Sequence, residues 1–461
     1  MMADRLNSPA ARDVKFVMHP YTNMEKHKES GPLIVEKASG VWVTDDSGKR
    51  YIEGMAGLWC TSLGFGEERL IEAAAKQMRE LPYYHLFTHK THNPAIDLAE
   101  KLCGMAPGNM GQVFFANSGS EANDTAIKLI WYYNNAVGRP EKKKILARLK
   151  GYHGVTVAAA SLTGLPYNHK DFDLPIANIG HVDCPHYYRY GEEGETEEEF
   201  ATRLAENLEK RILEEGPDTV AAFFAEPIMG AGGVILPPKT YFQKIQPVLK
   251  KYDVLLVADE VICGFGRTGN MFGCETFGIE PDMVTVAKAL SSAYLSISAL
   301  MVSQDIADAV SKNSGKIGTF GHGYTYSGHP AAVAVALETL KIYEERDILA
   351  HVREVGPHMQ ARLREFQDHP MVGEVRGTGL IGAVETVADK ATKRSFDPAL
   401  AVGPKLMMAA QQNGVILRAT PGDAIAFSPP LIITKSEIDQ MVDGFAKALD
   451  QVHADLNKAA A

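Results

Sequence analysis

The chain has 461 residues, of which 45% are hydrophobic and 23% are charged. This length is enough to bury a large core and suggests two or three domain-sized units rather than one. The formal net charge of -10 argues against binding to nucleic acid or to acidic membrane lipids, because both need clustered Lys and Arg. The composition therefore favours a globular protein that acts on small molecules.

The N-terminal sequence and the cysteines indicate the cellular compartment. The opening MMADRLNSPAARD has no apolar core after its charges, so it lacks the signal-peptide pattern, and no run of about 18 apolar residues follows it. The five cysteines are scattered, without a Cys-x-x-Cys pair, which argues against a disulfide framework or a thiolate zinc site. We expect a cytoplasmic protein with reduced thiols at Cys60, Cys103, Cys184, Cys263 and Cys274.

The first predicted elements are strands. Residues 33–53 (LIVEKASGVWVTDDSGKRYIE) resemble a short meander, with a turn at Ser47-Gly48. The pattern predicts a small antiparallel sheet near the start of the chain.

Three histidines follow this meander at a spacing that could suit metal ligands on one helix face. They are His85, His89 and His92, but Pro82 and Pro94 surround them and no carboxylate partner is evident. We therefore predict no metal site.

Short apolar runs alternate with helical patterns between residues 110 and 305. The runs are QVFFAN, KILARL, VAAFFAE, DVLLVADE and DMVTVAK. Strands that crossover helices bury on both faces have such continuous apolar sequences, so the pattern predicts an α/β fold with a mostly parallel central sheet.

An acidic stretch, GEEGETEEE, interrupts this alternation. Thr196 and Glu199 have the spacing of a capping box, and an apolar residue recurs every fourth position after them, at Phe200, Leu204, Leu208 and Ile212. We interpret the acidic residues as the solvated face of a helix rather than as a tail that binds a partner.

The pattern predicts three segments. Residues 1–66 and 331–461, the latter starting with a long helix, are expected to form a smaller α+β domain from both chain ends. Residues 67–330 are expected to form the large domain that holds the central sheet.

Charged residues end three of the predicted strands. Glu226 closes AAFFAE, Asp259 closes VLLVADE and Lys288 closes MVTVAK. Ligands of open α/β sheets bind at the carboxyl ends of the strands, so two carboxylates and one amine are expected at the same rim, where a lysine could form a Schiff base. Spacing alone leaves open that these are structural ions. The neighbour Glu260 should point away from Asp259, because adjacent strand residues face opposite sides.

A candidate anion site precedes the helix in VFFANSGSEANDTAIKL. The small residues Ser118, Gly119 and Ser120 let an anion approach the free N-H groups at the helix start, where the macrodipole is positive. The segment is neither a Walker A motif nor the dinucleotide GxGxxG. An ordinary capped helix remains the alternative.

Two further loops carry groups that suit a flat phosphorylated ligand. GYHG (residues 151–154) allows a tight turn that presents the aromatic face of Tyr152 beside His153. GHGYTYSGHP (residues 321–330) could offer the hydroxyls of Thr325 and Ser327 to a phosphate, although by itself it is also typical of an ordinary loop.

These motifs together resemble the class III pyridoxal-phosphate-dependent aminotransferases. The residues are NSGSEANDTA, GYHG, ADEVICGFGRTG, the lysine of TVAKALSSAY, and YTYSGHP, and the resemblance covers nearly the whole chain. MHPYTN, GMAGLWC and VILRA are most similar to the omega, or amine:pyruvate, aminotransferases. The resemblance implies a fold-type I transferase, pyridoxal 5'-phosphate as cofactor, and a homodimer with shared active sites that could pair into tetramers.

The resemblance also assigns roles to residues. Lys288 would form the Schiff base and Asp259 would face the pyridine nitrogen. The cofactor-binding residues that it implies, including Asp259 and Lys288, are Ser118, Gly119 and Ser120 at the phosphate, Tyr152 and Val261 on the two faces of the ring, His153 and Glu226 beside it, and Thr325 on the phosphate of the neighbouring subunit.

The substrate side is implied by the same resemblance. Arg418 matches the family's mobile arginine, which binds a carboxylate bidentately and swings away for an uncharged amine; a surface arginine is the alternative. The expected pocket walls are Tyr21, Leu58, Trp59, Phe87 and Ala231. Trp59 and Phe87 could instead be core aromatics. Ser296 stands where related sequences usually have proline, which leaves the backbone after Lys288 less constrained.

We therefore expect an aminotransferase that moves an amino group from a primary amine, apolar or aryl-alkyl, or an amino acid to a keto acid such as pyruvate. Its ping-pong mechanism would pass through pyridoxamine phosphate. Other reactions on the same cofactor remain open, namely decarboxylation, racemisation, or transamination of ornithine or 4-aminobutyrate. A non-catalytic binding protein on this scaffold is the alternative from another class.

Overall fold

The computed structural model describes residues 7–460. The start of the opening segment that bears on the signal-peptide prediction, residues 1–6, lies outside this range. None of the described helices combines the length and the apolar composition that crossing a membrane would require.

The helices are given in chain order. They are α1 (Pro9–Phe16), α2 (Met24–Ser30), α3 (Ala56–Trp59), α4 (Glu68–Glu80), α5 (Asn93–Met105), α6 (Gly119–Ala136), α7 (Val157–Leu162), α8 (Tyr187–Tyr190), α9 (Glu197–Glu215), α10 (Tyr241–Lys251), α11 (Gly273–Phe277), α12 (Gln304–Ile317), α13 (Pro330–Glu345), α14 (Ile348–Arg364), α15 (Val402–Gln412) and α16 (Lys435–Ala460).

The strands form three sheets. They are β1 (Val35–Ser39), β2 (Trp42–Asp45), β3 (Arg50–Glu53), β4 (Met110–Ala116), β5 (Lys144–Arg148), β6 (Ile179–Val182), β7 (Val220–Ala225), β8 (Leu255–Asp259), β9 (Met283–Val286), β10 (Ser298–Ser303), β11 (Val372–Thr378), β12 (Ile381–Thr386), β13 (Val415–Ile416), β14 (Arg418–Thr420) and β15 (Ala424–Phe427).

The central sheet has the order β4-β10-β9-β8-β7-β5-β6. Strands β5 to β9 pair in parallel, and only β10 runs antiparallel to its neighbours β4 and β9. The five predicted apolar runs correspond to β4, β5, β7, β8 and β9, which confirms the mostly parallel α/β fold. The structure adds β6 and β10, which the sequence analysis did not identify.

Both faces of the central sheet are buried. The adjacent residues Phe223 and Phe224 of β7 point to opposite faces and belong to different core clusters, and both are 0% exposed. On one of these faces α9 begins with the predicted capping box, in which Thr196 and Glu199 satisfy each other's backbone N-H groups. All four apolar residues predicted for its inner face are buried, namely Phe200, Leu204, Leu208 and Ile212.

The predicted meander is present as the antiparallel strands β1, β2 and β3. Its turn is stabilised by Asp45, whose Oδ1 atom accepts hydrogen bonds of 2.9 Å from the backbone N-H groups of Ser47 and Lys49, and Gly48 has a φ of +85°. Strand β13, from near the C-terminus, pairs in parallel with β3. Both chain ends therefore contribute to one sheet, while the domain boundaries near residues 66 and 330 stay a prediction.

The C-terminal part of the chain starts with the predicted long helix, α13, and builds a third sheet. This sheet has the order β11-β12-β15-β14, and α14 packs on β11 and β12. Strand β14 follows β13 after a single residue, so Arg418 lies where the small sheets meet.

Candidate active site

Three neighbouring parallel strands end at one cavity. Glu226 follows β7, Asp259 ends β8, and Lys288 comes two residues after β9. Because carboxyl ends of parallel strands meet at the same edge of a sheet, all three side chains line a cavity of about 270 Å³. Most of the residues predicted to bind the cofactor line it as well, namely Ser118, Gly119, Ser120, Tyr152, His153 and Val261.

Asp259 is buried and held in one orientation by hydrogen bonds. Its Oδ2 atom accepts hydrogen bonds from Nδ1 of His153 at 2.8 Å and from Nδ2 of Asn123 at 2.9 Å. Its Oδ1 atom accepts from the backbone N-H of Val261 at 3.1 Å. The carboxylate is 4% exposed, so its direction is set by the protein rather than by solvent. As predicted, Glu260 points elsewhere and accepts the backbone N-H groups of Gly273 and Cys274.

Sequence reasoning missed Asn123. The side chain of this fully buried residue donates to the backbone oxygen of His153 at 2.7 Å as well as to Asp259. A signal was present, because Asn123 follows Gly119 by four residues in α6 and so lies on the same helix face.

An unusual backbone conformation positions the amine of Lys288. Lys288 has a φ of +48°, in the left-handed region that is unfavourable for residues with a Cβ atom. Burial lowers the pKa of Lys288, and the charges of Cys60, Asp259 and Glu226 oppose that shift. Within residues 7–460 its Nζ atom makes no hydrogen bond, which leaves it available to a ligand.

The start of α6 forms a narrow cradle. Ser118 is the N-cap residue, and its hydroxyl accepts a hydrogen bond from the backbone N-H of Glu121 at 3.2 Å. A Cβ atom at Gly119 would lie 3.1 Å from both methyl carbons of Val261, so only glycine leaves this approach open. The first N-H groups of the helix therefore face the cavity without side chains in front of them.

A second glycine completes the cradle. Gly154 has a φ of +137°, and a Cβ atom there would lie 2.5 Å from Oγ of Ser120. The Ser120 hydroxyl also accepts a hydrogen bond from the backbone N-H of Val155 at 3.1 Å. The loop after β5 is thus tied to the start of α6.

Glu226 supports the loop that carries Tyr152. Its Oε1 atom accepts the backbone N-H of Tyr152 at 3.0 Å, and its Oε2 atom accepts the N-H of Gly230 at 3.0 Å. Burial raises the pKa of Glu226. This one carboxyl group fixes the positions of Tyr152 and of the turn that continues to the half-buried Ala231.

Tyr21 covers the outer side of Tyr152. The two rings lie edge to face with centroids 6.5 Å apart, and burial raises the pKa of Tyr152. The Tyr21 hydroxyl accepts a hydrogen bond of 2.7 Å from Nδ2 of Asn168, another residue that the sequence did not reveal. The segment between α1 and α2 is therefore fastened next to the cavity.

Trp59 and Arg418 form a stacked pair. The guanidinium carbon of Arg418 lies 5.2 Å from the centre of the Trp59 ring. Trp59 is buried, whereas the preceding Leu58 is exposed. The positive charge of Arg418 also acts on the cavity: it lowers the pKa of Lys288, as burial does.

Phe87 and Thr325 lie apart from the cavity, on an exposed part of the surface. A Cβ atom at Gly323 would come within 2.7 Å of Phe87, and the backbone oxygen of Thr325 accepts a hydrogen bond of 2.7 Å from the Tyr83 hydroxyl. The Ser327 hydroxyl turns inward and accepts the backbone N-H of Tyr324. Phe87 and the loop of residues 321–330 thus belong to one surface region.

Ser296 and Cys60 also line the cavity. Ser296 is exposed and precedes β10 by two residues. The Cys60 thiol donates to the backbone oxygen of Leu58 at 3.0 Å, and all five cysteines are free thiols.

The three histidines that were considered as metal ligands lie at or before the start of α5. His92 is the N-cap residue of α5, and its Nε2 atom bonds to the backbone oxygen of Gly328 at 2.8 Å. His85 accepts the backbone N-H of Phe87, and His89 has a φ of +64°. They do not share a helix face.

Comparison with known proteins identifies the family. Residues 23–449 match the family described as aminotransferase class-III.

The chain is a class III aminotransferase.

Relatives of this aminotransferase carry two kinds of name. Gamma aminobutyrate transaminase 3, chloroplastic, from Solanum lycopersicum is 52% identical over 434 residues, which cover 94% of this chain and 83% of the relative. Gamma aminobutyrate transaminase 1, mitochondrial, from the same plant is 53% identical, with 94% and 84% covered. The omega transaminase from Pseudomonas jessenii in complex with PMP is 54% identical with a TM-score of 0.95, and 96% of this chain and 98% of that chain are covered.

An engineered structure is also similar. It is a thermostable omega transaminase variant with a tryptophan, a phenylalanine and an arginine replaced, made for asymmetric synthesis of enantiopure bulky amines. It is 54% identical with a TM-score of 0.96 and covers 97% of this chain and 99% of its own.

Class III aminotransferases use pyridoxal phosphate, so this is the cofactor of the enzyme. The cavity fits it in three respects. The glycines of the α6 cradle leave room for a phosphate at a helix N-terminus, the oriented carboxylate of Asp259 would suit a protonated ring nitrogen, and the amine of Lys288 would suit an aldehyde.

Proposed function

We propose that this aminotransferase transfers an amino group from a primary amine, apolar or aryl-alkyl, to a keto acid such as pyruvate in a ping-pong cycle. One observation carries the substrate class. Within residues 7–460 the guanidinium of the half-buried Arg418 forms no ion pair and stacks on Trp59 beside the cavity. An arginine so placed can pair with the carboxylate of a keto acid and move aside for an uncharged substituent.

We assign the binding of the cofactor to residues around the cavity. Ser118, Gly119 and Ser120 would hold its phosphate, Tyr152 and Val261 would cover its two faces, and His153 and Glu226 would fix its surroundings. When bound, the cofactor supplies an electron sink for the carbanion that forms as the amine loses its Cα proton.

Two side chains of the enzyme act on protons. Asp259, oriented by His153 and Asn123, would keep the ring nitrogen protonated, because an opposite charge at hydrogen-bond distance favours the charged form. Lys288 would hold the cofactor and, once the substrate has displaced it, carry the proton from Cα. Burial lowers the pKa of Lys288, which shifts the amine toward the neutral form that this transfer needs.

We further propose that the enzyme acts as a homodimer with shared sites. Thr325 and Phe87 lie on the exposed region described above rather than in the cavity, so each would complete the site of the other subunit. The cytoplasmic location stays an expectation, since two of the plant relatives carry chloroplastic and mitochondrial in their names.

Transamination of 4-aminobutyrate is the second candidate. It is favoured by the names of the relatives at 52–53% identity. The exposed Leu58 and the aromatic rings of Tyr21 and Trp59 favour an apolar donor.

Initial rates test this proposal. We would compare an aryl-alkyl amine with 4-aminobutyrate as donors at several pyruvate concentrations, with Lys288→Ala as the inactive control. The proposal predicts a higher kcat/KM for the aryl-alkyl amine and parallel double-reciprocal lines. Intersecting lines, or turnover of 4-aminobutyrate alone, would overturn it.

A further inference from the structure

Glu53 is a buried carboxylate outside the cofactor cavity. It ends β3, is 5% exposed, and forms no ion pair with any described residue. Its Oε1 atom accepts the backbone N-H of Met55 at 3.3 Å, and its Oε2 atom accepts the backbone N-H of Gly57. Both oxygens therefore bind the segment of residues 55–59, which immediately follows β3 and contains the short helix α3. We call this segment the turn.

This turn has an unfavourable backbone. Ala56, Gly57 and Trp59 have φ values of +47°, +67° and +60°. Residues with a Cβ atom occupy this region only where neighbouring groups hold them there. The carboxylate of Glu53 is such a group, because it binds two N-H groups within the turn.

The turn leads directly to the Arg418 pair. Ile416 of β13 is the register partner of Glu53 of β3, so the two strands leave the small sheet side by side. Two residues after Ile416 comes Arg418, whose guanidinium carbon lies 5.2 Å from the centre of the Trp59 ring. A shift of the turn would move the ring away from the arginine.

We propose that Glu53 is a positioning residue for substrate specificity: by holding the turn of residues 55–59, it keeps the Trp59 ring against Arg418 and so fixes where Arg418 meets a substrate carboxylate. This inference rests on the proposed role of Arg418 in keto-acid binding. The alternative is that Glu53 only stabilises the fold.

The burial of Glu53 supports a role in holding the turn. Burial raises the pKa of Glu53 to about 7, and the hydrogen bonds from Gly57 and Met55 act against that rise. Burying a carboxylate without a cation is unfavourable, and an apolar side chain of similar size would fill the space without this penalty. The role of the buried carboxylate is to accept hydrogen bonds from the two N-H groups of the turn.

The test uses Glu53→Gln, which keeps the shape but offers one acceptor oxygen instead of two. We expect the KM for pyruvate to rise about tenfold, because one of the two N-H groups loses its partner and the turn relaxes. The kcat/KM for an uncharged aryl-alkyl amine should change less than about threefold. In an Arg418→Ala background the effect of Glu53→Gln on pyruvate should vanish, since the residues act through one contact.

Glu260→Gln is the matched control. Glu260 is also a buried carboxylate whose oxygens accept two backbone N-H groups, from Gly273 at 3.0 Å and Cys274 at 2.6 Å. It should lower the melting temperature as Glu53→Gln does, without changing the ratio of pyruvate to amine kinetics. Equal losses for both substrates in Glu53→Gln, or an unchanged pyruvate effect in the Arg418→Ala background, would overturn the inference.

Tryptophan fluorescence separates this inference from the proposed function. Of the three tryptophans, Trp59 stacks with Arg418, whereas Trp42 stacks with Arg50. The emission change caused by Arg418→Ala should therefore be seen in the wild-type background and lost in Glu53→Gln. If the wild type fails to use pyruvate, the proposed function fails, and this emission change still decides whether Glu53 positions Trp59. Its persistence in Glu53→Gln would contradict the inference.

Discussion

Nδ1 of His153 lies 2.8 Å from Oδ2 of Asp259, and both side chains are buried. Asn123 holds the same oxygen, so two donors aim this carboxylate into the cavity. A carboxylate oriented in advance needs no reorganisation when it meets a positive charge, which is how buried electrostatic groups contribute most to catalysis.

Replacing Asp259 with Asn should damage chemistry more than folding. The amide keeps the size of the side chain but removes the charge that favours a protonated ring nitrogen, so kcat should fall roughly 10²-fold or more. Steady-state kinetics and thermal unfolding of the same samples check this. Turnover at the wild-type rate would refute the role of Asp259.

Gly119→Ala should weaken cofactor binding. The new methyl group would lie 3.1 Å from the Val261 side chain, and relieving this contact should raise the Kd of pyridoxal phosphate about tenfold. Absorbance titration of the apoenzyme measures it. Gly315→Ala, in open space within α12, is the control and should leave the Kd unchanged. Equal affinities in both variants would exclude a tight cradle at Gly119.

Arg418→Ala should separate the two substrates. Loss of a charge-assisted bidentate contact should lower kcat/KM for pyruvate by roughly 10²-fold, and an uncharged amine should lose less than about threefold. Arg50→Ala is a matched control, because Arg50 also stacks on a tryptophan, Trp42, at 4.6 Å. If both substrates suffer equally in Arg418→Ala, the arginine is not a carboxylate switch.

The pH dependence of stability should change in Glu260→Gln. Burial raises the pKa of Glu260 from 4.5 to about 7, so the folded protein holds this proton more tightly than the unfolded chain. The contribution of Glu260 to stability is therefore lost as the pH rises from about 4.5 to about 7.

Melting temperatures of the wild type and Glu260→Gln across this range measure the effect. Relative to the variant, the wild type should lose about 2–5 °C between pH 5 and pH 7. Other titrating groups, such as buried histidines, affect both proteins alike and cancel in the difference. Parallel curves would show that Glu260 does not titrate in this window.

The ends of the strands were predictable because a continuous apolar run that stops at a charged residue is a local pattern. The sequence alone therefore predicts that Glu226, Asp259 and Lys288 lie at one rim. Strand β10 was missed. Its direction was also not predictable, because an apolar segment does not reveal that it runs antiparallel between two parallel strands.

Groups joined by distant contacts were harder to predict. Asn123 was accessible from helix periodicity, since it lies one turn after Gly119. Glu53 gave no signal, because its importance depends on a backbone turn and on the pairing of β3 with β13, a strand from the other end of the chain. Thr325 and Phe87 lie on the surface, and the roles proposed for them would depend on a second subunit.

The visible spectrum of the purified enzyme, recorded during addition of an aryl-alkyl amine without any keto acid and then of pyruvate, tests the proposed transamination directly. We expect the amine to change the absorption of the bound cofactor and pyruvate to restore it, because the two half-reactions occur separately. A coloured protein whose spectrum does not respond to the amine would contradict the proposed substrate class.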